Sequence, residues 1–435
     1  MRHYAIPLDA GEATDPAQVG PKAANLALLR RAGLPTPGGF CLHAQAYRDQ
    51  VAALGLEAAA RAVFGSGDSP GARRAALQMK LGLMEQPIAP AVLEPLLEAW
   101  RALSASGAVP TVVRSSALVE DRYGSSFAGQ FESFLGIESE ADFLTAVRAC
   151  WAALWSSRAL RYMATHGLDP ADTAMALLVQ PLVAARSAGG ALSQSAEGNV
   201  LINATWGLGS AIAQGEVAPD RYLLGRDGAL KETTIGNKNR HAASCEHSHT
   251  SPTPHRRVAA PQACLDPARI AELGKLVLRT EKIMGMPVEI EWALDDAGFR
   301  LLQARPLHLE AATVPDETWS RHPRLNGQPA GVGWATGRAC VVNCECELLR
   351  VAPGDVLVTK MAGPALAHIL PRVAGVVAEL GGSTSHLASL ARERGIPMVL
   401  GANEATRRIP EGSMVAVDGI AGVVRWMAGN REAVT

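Results

Sequence analysis

The sequence predicts a mixed α/β (α+β) protein of more than one folding unit, and three observations predict it. Helical periodicity alternates with short apolar strands through roughly the first 300 residues. A polar stretch rich in Pro and Gly then breaks every regular pattern between 310 and 335. The rest of the chain alternates short strands with one helix, in the manner of a small α/β unit.

Bulk properties narrow the class. A chain of 435 residues divides into about three units at roughly 150 residues each. The apolar share of 48% with 19% charged residues is that of a globular protein, and a formal net charge of -1 gives no basic field for nucleic acid or an anionic membrane surface. The opening MRHYAIPLDA lacks the basic, apolar, small-residue order of an export signal. No apolar run approaches the roughly 20 residues that span a bilayer. The expectation is a cytoplasmic protein with no nucleic-acid or membrane partner. Seven cysteines, an odd number, read as mostly free thiols.

The elements follow in order. Residues 17 to 58 are helical, with a Pro and Gly turn at Leu34 to Phe40; residues 55 to 107, rich in Ala, Leu and Glu, read as a helical insertion. Val112 and Val113 end a short strand, and Arg114 to Gly136 reads as a loop of small residues that approaches a ligand closely. Strands are expected at 174 to 184 and 199 to 206, and an amphipathic helix at 267 to 284. VEIEWAL and FRLLQARPL, joined at DDAG, form an antiparallel pair. After the break at 310 to 335, strands at GRACVV, DVLVTK and GVVAEL precede a helix from His386 to about Arg394, then PMVLG and MVAVDG.

The strongest chemical signal is Gly381-Gly382-Ser383-Thr384-Ser385-His386, lying between a strand and that helix. Unpaired N–H groups and a partial positive charge at a helix start stabilise an anion, so a phosphoryl group on His386 would be well held there. The same field leaves a neutral imidazole nitrogen to act as nucleophile. Gly381 and Gly382 admit the bulk of a phosphoryl group, and Thr384 and Ser385 can donate to it. A helix-start histidine with no chemistry is the plain alternative.

GGSTSHLASLARERGIPMVLG resembles the phosphohistidine motif of the swivelling domain shared by phosphoenolpyruvate synthase, pyruvate phosphate dikinase and rifampin phosphotransferase, and VAVDG at 415 to 419 resembles its closing strand. Residues 19 to 48 are similar to the opening of the same enzymes' ATP-binding domain, which puts Lys22 at the lysine that reaches the nucleotide phosphates. Arg114-Ser115-Ser116, then Glu120-Asp121, then Ser126-Phe127-Ala128-Gly129-Gln130 resembles the phosphate-facing strand and loop, with Gly129 and Gln130 at the nucleotide. Arg114 can fork onto phosphate oxygens; an ion pair with Glu120 or Asp121 is the structural alternative. Gln180-Pro181-Leu182 matches the stretch where adenine meets backbone, and a Gln in an apolar strand is costly unless paired.

Side chains alternate along a strand, so Glu289 and Glu291 share one face, as do Gln303 and Arg305. In the register that sets Glu291 opposite Gln303, hard oxygens meet where Mg²⁺ could bridge phosphates. The resemblance gives Glu291 and Gln303 metal roles and Arg305 a phosphate or transfer role. It implies a two-lobed ATP-grasp domain over 1–310, a linker over 311–324 and a small swivelling phosphohistidine α/β domain over 325–435. ATP and Mg²⁺ are the implied cofactors, and Lys22, Arg114, Arg305 and His386 the implied catalytic set. The implied activity is dikinase-type phosphotransfer, leaving AMP and phosphate, to a small-molecule acceptor. The alternatives are an acceptor site on a partner subunit, or a non-catalytic nucleotide sensor.

Some features depart from that pattern or fall outside it. Nothing in the sequence corresponds to the family's acceptor barrel or drug-binding insert, residues 186 to 199 lack a usual Phe-Thr stretch, and Ser210 stands where an acidic residue is common. Cys245, His247, His249 and His255 lack paired zinc spacing, Cys340, Cys344 and Cys346 are no more persuasive, and the P-loop pattern is absent.

Overall fold

A computed structural model describes residues 4–65, 69–105, 110–120, 131, 133–195, 197–236, 238, 262–307, 319 and 321–427. The chain forms two compact units, Met1–Ala184 with Gly298–Arg305, and Ala185–Ala297 with Pro306–Thr435. Residues 325–435 thus share the second unit with Ala185–Ala297. Most of the expected linker, 311–318 and 320, lies outside the described residues. Among the described residues, no helix is long and apolar enough to cross a membrane.

The first unit runs β1 (Ala5–Pro7), α1 (Pro16–Arg31), β2 (Phe40–Leu42), α2 (Ala44–Ala53), α3 (Glu57–Gly65), α4 (Pro70–Glu85), α5 (Pro90–Ala105), β3 (Thr111–Ala117), β4 (Ser133–Ile137), α6 (Glu140–Ala153), α7 (Ser157–Thr165) and β5 (Met175–Pro181). Helices α3 to α5 are the expected helical insertion. The strands form an antiparallel sheet in the order β1-β2-β5-β3-β4. Strand β3 continues through Arg114–Ala117, which the sequence suggested as loop. Ser115 and Ser116 are buried there, and the Ser116 hydroxyl accepts from the Ala23 amide at 3.2 Å. Composition does not announce that partner, because it lies 93 residues away in sequence.

Helix α1 is broken by Gly20 at φ 76°, and Pro21 restarts it with Lys22 in the new first turn. A side chain at Gly20 would meet the Ser116 carbonyl oxygen at 2.2 Å. The glycine therefore both turns the chain and lets α1 press onto β3.

The second unit contributes β6 (Ser187–Leu192), β7 (Val200–Trp206), α8 (Ser210–Ala213), β8 (Asp220–Leu224), β9 (Leu230–Thr234), α9 (Pro267–Met284) and β10 (Val288–Asp295). Its first sheet holds β10-β6-β7-β8-β9, with antiparallel neighbours. Strand β11 (Gly298–Pro306) follows and returns the chain to the first unit. Strand β6 has no strand-like signature in SAGGAL; it is a strand because its small residues sit buried between β7 and β10.

The chain then forms β12 (Arg324–Asn326), β13 (Gln328–Pro329), β14 (Trp334–Val342), β15 (Val356–Thr359), β16 (Gly375–Ala378), α10 (His386–Glu393), β17 (Met398–Leu400), α11 (Ala405–Arg408), β18 (Met414–Asp418) and β19 (Val423–Trp426). Strands β12 and β13 lie in the stretch read as patternless; each is too short to carry a period. The sheet order is β12-β19-β18-β14-β15-β16-β17-β13. Strand β14 joins its halves, antiparallel to β18 through residues 334–338 and parallel to β15 through 339–342. Val356, Val358, Val377, Val399, Val415 and Val417 fill its core. A disulfide links Cys344 and Cys346, while Cys41, Cys150, Cys264 and Cys340 are buried outside any disulfide.

Before α2, His43 Nδ1 accepts from the Gln45 amide at 2.8 Å and Nε2 meets Gln18 Oε1 at 3.1 Å. The first contact requires an unprotonated Nδ1. Burial, then the Arg48 charge, lowers the pKa of His43 below its ordinary 6.5, against smaller opposing fields from Asp15, Asp49 and Glu12. A pKa lowered on folding adds stability above the unfolded value, and that stability is lost as pH falls through the folded one. We expect the denaturant midpoint to fall on acidification below about pH 6.5, and the difference between wild type and His43→Asn to shrink over the same range.

Candidate functional site: a basic cluster and a histidine loop

In the first unit, Lys22 Nζ donates to the Ser115 carbonyl at 2.9 Å and pairs with Glu120 at 3.0 Å. Glu120 is 2% exposed and also accepts from the Ala117 amide. Arg114 leaves the same strand and donates to the Leu302 carbonyl at 2.9 Å and to Gln303 Oε1 at 3.0 Å. Asn25 donates to the Ala304 carbonyl at 3.1 Å. The first unit thus gathers α1, β3 and the Gly298–Arg305 segment around Lys22, Arg114 and Gln303, with Arg305 buried next along the strand. A carboxylate, a side-chain amide and backbone oxygens thus hold two cations in fixed orientations.

Gln180 is buried, and its side-chain nitrogen donates to the Gly38 carbonyl at 3.2 Å. The need for a partner that suggested a ligand is met at least in part inside the unit. Pro181 ends β5, and the Leu182 amide donates to the Pro110 carbonyl at 2.8 Å. Gly129, Gln130, Asp121 and Ser126 to Ala128 lie outside the described residues.

In the second unit, His386 opens α10 and is half-buried. Ser385 caps the helix by accepting from the Ala388 amide at 3.2 Å, and Ser383 donates to the Pro329 carbonyl at 2.5 Å. Ser385 thus has a capping duty that the sequence reading did not assign. The loop lies on the β6–β7–β10 face. The Gly381 amide donates to the Val217 carbonyl at 3.0 Å, and Thr384 Oγ1 donates to Asn203 Oδ1 at 3.5 Å. A side chain at Gly190 would meet Thr384 at 2.5 Å. Gly190 pairs with Glu291 on one side and Asn203 on the other. Paired residues share a face, so Glu291 stands on the face that meets the loop two residues before His386.

Glu289, two residues along β10, shares that face. It accepts from Arg392 at 2.8 Å and from Ser389 at 2.9 and 3.1 Å. Arg392 and Glu289 are 5% and 7% exposed; deleting one partner of such a pair costs about 3–5 kcal/mol. Arg392 also donates to the Ser383 carbonyl at 2.6 Å and the Ala330 carbonyl at 3.0 Å. Sequence reasoning assigned no role to Ser389, Arg392, Asn203 or Gly190. The charged pair Arg392-Glu393 closing the apolar and small run LASLA was the one available signal.

Each of the two expected metal donors carries a hard oxygen: Glu291 a half-buried carboxylate, and Gln303 an amide Oε1 that accepts one bond from Arg114. Glu291 belongs to the second unit and Gln303 to the first. Among the described residues, no group of three or more His, Cys, Asp or Glu is placed to hold a metal.

The first unit orients two cations and the second opens a helix on a histidine, and two family models give the class: a nucleotide-binding domain followed by a mobile domain. Residues 16–323 match the pyruvate phosphate dikinase AMP/ATP-binding domain, and residues 351–422 the mobile domain of PEP-utilising enzymes. The chain belongs to the phosphoenolpyruvate synthase and pyruvate phosphate dikinase family. It is 33% identical over 416 residues to a probable phosphoenolpyruvate synthase of Methanothermobacter thermautotrophicus, covering 93% of this chain and 61% of that protein. It is 32% identical to the phosphoenolpyruvate synthase of Aeropyrum pernix (93% and 56%) and 30% identical to that of Pseudomonas aeruginosa (96% and 57%). The chain therefore spans 56–61% of the length of these curated relatives.

Overpacking a tight contact costs about 1–3 kcal/mol, and Gly190→Ala should relieve it by lifting the loop off the sheet. We expect the Gly381 amide to exchange its hydrogen about ten- to a hundredfold faster in Gly190→Ala, while amides within β3 and β5 keep their protection.

Proposed function

We propose that this chain phosphorylates His386 from ATP, with Mg²⁺, and passes the phosphoryl group to a small-molecule acceptor. The observation that carries the reading is the seat of the His386 loop on the face that bears Glu291. The overall half-reaction balances as ATP, water and His386 giving phosphohistidine, AMP and inorganic phosphate. Both phosphoanhydride bonds break, one P–N bond forms, and water takes the second phosphoryl group.

Each residue has a distinct task. Lys22 and Arg114 hold phosphate oxygens, and Arg305 steadies the phosphoryl group in transit. Glu291 and Gln303 would hold Mg²⁺, which when bound neutralises phosphate charge. His386 supplies the nucleophilic nitrogen. Gln180, Pro181 and Leu182, with Gly129 and Gln130, border the nucleotide. One histidine that serves a donor and an acceptor must travel, because reacting atoms have to approach within about 3.5 Å. Residues 311–324 provide that travel as a linker between a nucleotide-binding part, 1–310, and a swivelling part, 325–435. The relatives' printed names make pyruvate the first acceptor to try.

The test is incubation with Mg²⁺ and ATP labelled separately at the β and γ phosphates. We expect acid-labile label on the protein, AMP as product, no label on His386→Ala, and loss of the label to pyruvate with formation of phosphoenolpyruvate. Label retained by His386→Ala, or ADP as sole product, would sink the proposal. Arg114→Ala should lower the labelling rate by about a hundredfold or more without altering the His386 loop.

A further inference from the structure

We infer that Glu289 is a positioning residue that registers the His386 loop on the β6–β7–β10 face through Arg392 and Ser389. The inference rests on the reading of His386 as the phosphoryl carrier, and it adds the contact that holds the carrier in register.

The argument is a chain of short bonds. Arg392 grips the Glu289 carboxylate with one nitrogen, and with the other it grips the Ser383 carbonyl, three residues before His386, and the Ala330 carbonyl. Ser389 donates to both oxygens of the same carboxylate. A planar guanidinium transmits position as a rigid plate. The place of Glu289 on the sheet therefore fixes the loop that carries the histidine. Ser389 and Arg392 stand one and two turns beyond His386 on α10, so the helix is held along its length.

Glu289 and Glu291 divide the work of one strand face. Glu289 spends both oxygens on α10, whereas Glu291 is the candidate metal ligand two residues along.

The contact is built to come apart. The joint around Arg392 is polar, and beside it runs a cavity of about 340 Å³ lined by Leu192, Leu201 and Arg221 from one side and Asn326 and Ile420 from the other. A joint with unfilled space has forgone part of its dispersion attraction. When the domain leaves, both ions regain water, so the pair specifies register more than it adds adhesion.

Three measurements on the full chain test this. Single-turnover labelling of His386 at saturating ATP should slow by about ten- to a hundredfold in Glu289→Gln, with the ATP dissociation constant and the Mg²⁺ requirement within about twofold of wild type. Ser389→Ala should move the same way by less, and Glu289→Asp should recover part of the rate. Spin labels at the exposed Leu230 and Leu349 should report a longer, broader distance distribution in Glu289→Gln. An unchanged rate with an unchanged distribution overturns the inference, as does weakened ATP or Mg²⁺ binding, which would make Glu289 part of the nucleotide site. If wild type places no label on His386, the proposed function fails, and the spin labels still decide whether Glu289 holds the domain.

Discussion

The His386 loop reaches the β6–β7–β10 face because Gly190 carries no side chain. A single methyl group there would occupy the space of Thr384. That approach brings the start of α10 onto the face shared by Asn203, Glu291 and Glu289. The remaining contacts of the loop, from the Gly381 amide to Arg392, presuppose this closeness. Shape comes first here, and electrostatics act across the short distance that shape allows.

The contacts that fasten the loop include directional hydrogen bonds and the Arg392–Glu289 ion pair. An apolar joint would adhere through area and tolerate sliding; directional bonds hold one register and weaken steeply with displacement. Gln328 shows the same design: it accepts from Asn203 at 3.2 Å and donates to the Pro219 carbonyl at 3.4 Å. Such a surface can separate at little cost, because exposure to water costs polar groups little.

The first unit solves a different problem. Lys22 and Arg114 are kept close to 2.9 Å from backbone carbonyls, with Glu120 and Gln303 as side-chain partners. Oriented charges need little reorganisation when an anion binds. The break at Gly20 and Pro21 places Lys22 in a first helical turn, where backbone N–H groups lie near the same region.

Much of the architecture was legible from local pattern. The helical insertion, β5, β7, α9 and β10, and the strand-helix order around His386 all declare themselves through periodicity or capping residues. The 381–386 segment was legible as a loop that opens a helix, because glycine and hydroxyl residues before a helix mark its start locally. Strand β6 was not legible, since SAGGAL has no apolar period and is a strand only through its neighbours. Strands β12 and β13 are too short to show one.

By itself, then, the sequence determined the family and which segments could be helix or strand, because motifs and periodicity depend on neighbours a few positions apart. Tertiary structure alone decided that Arg392 is buried against Glu289, 103 residues away, and that Glu120 meets Lys22. Those outcomes depend on which surfaces the folded chain brings together, and a charged side chain reads the same in sequence whether it ends in water or in an ion pair.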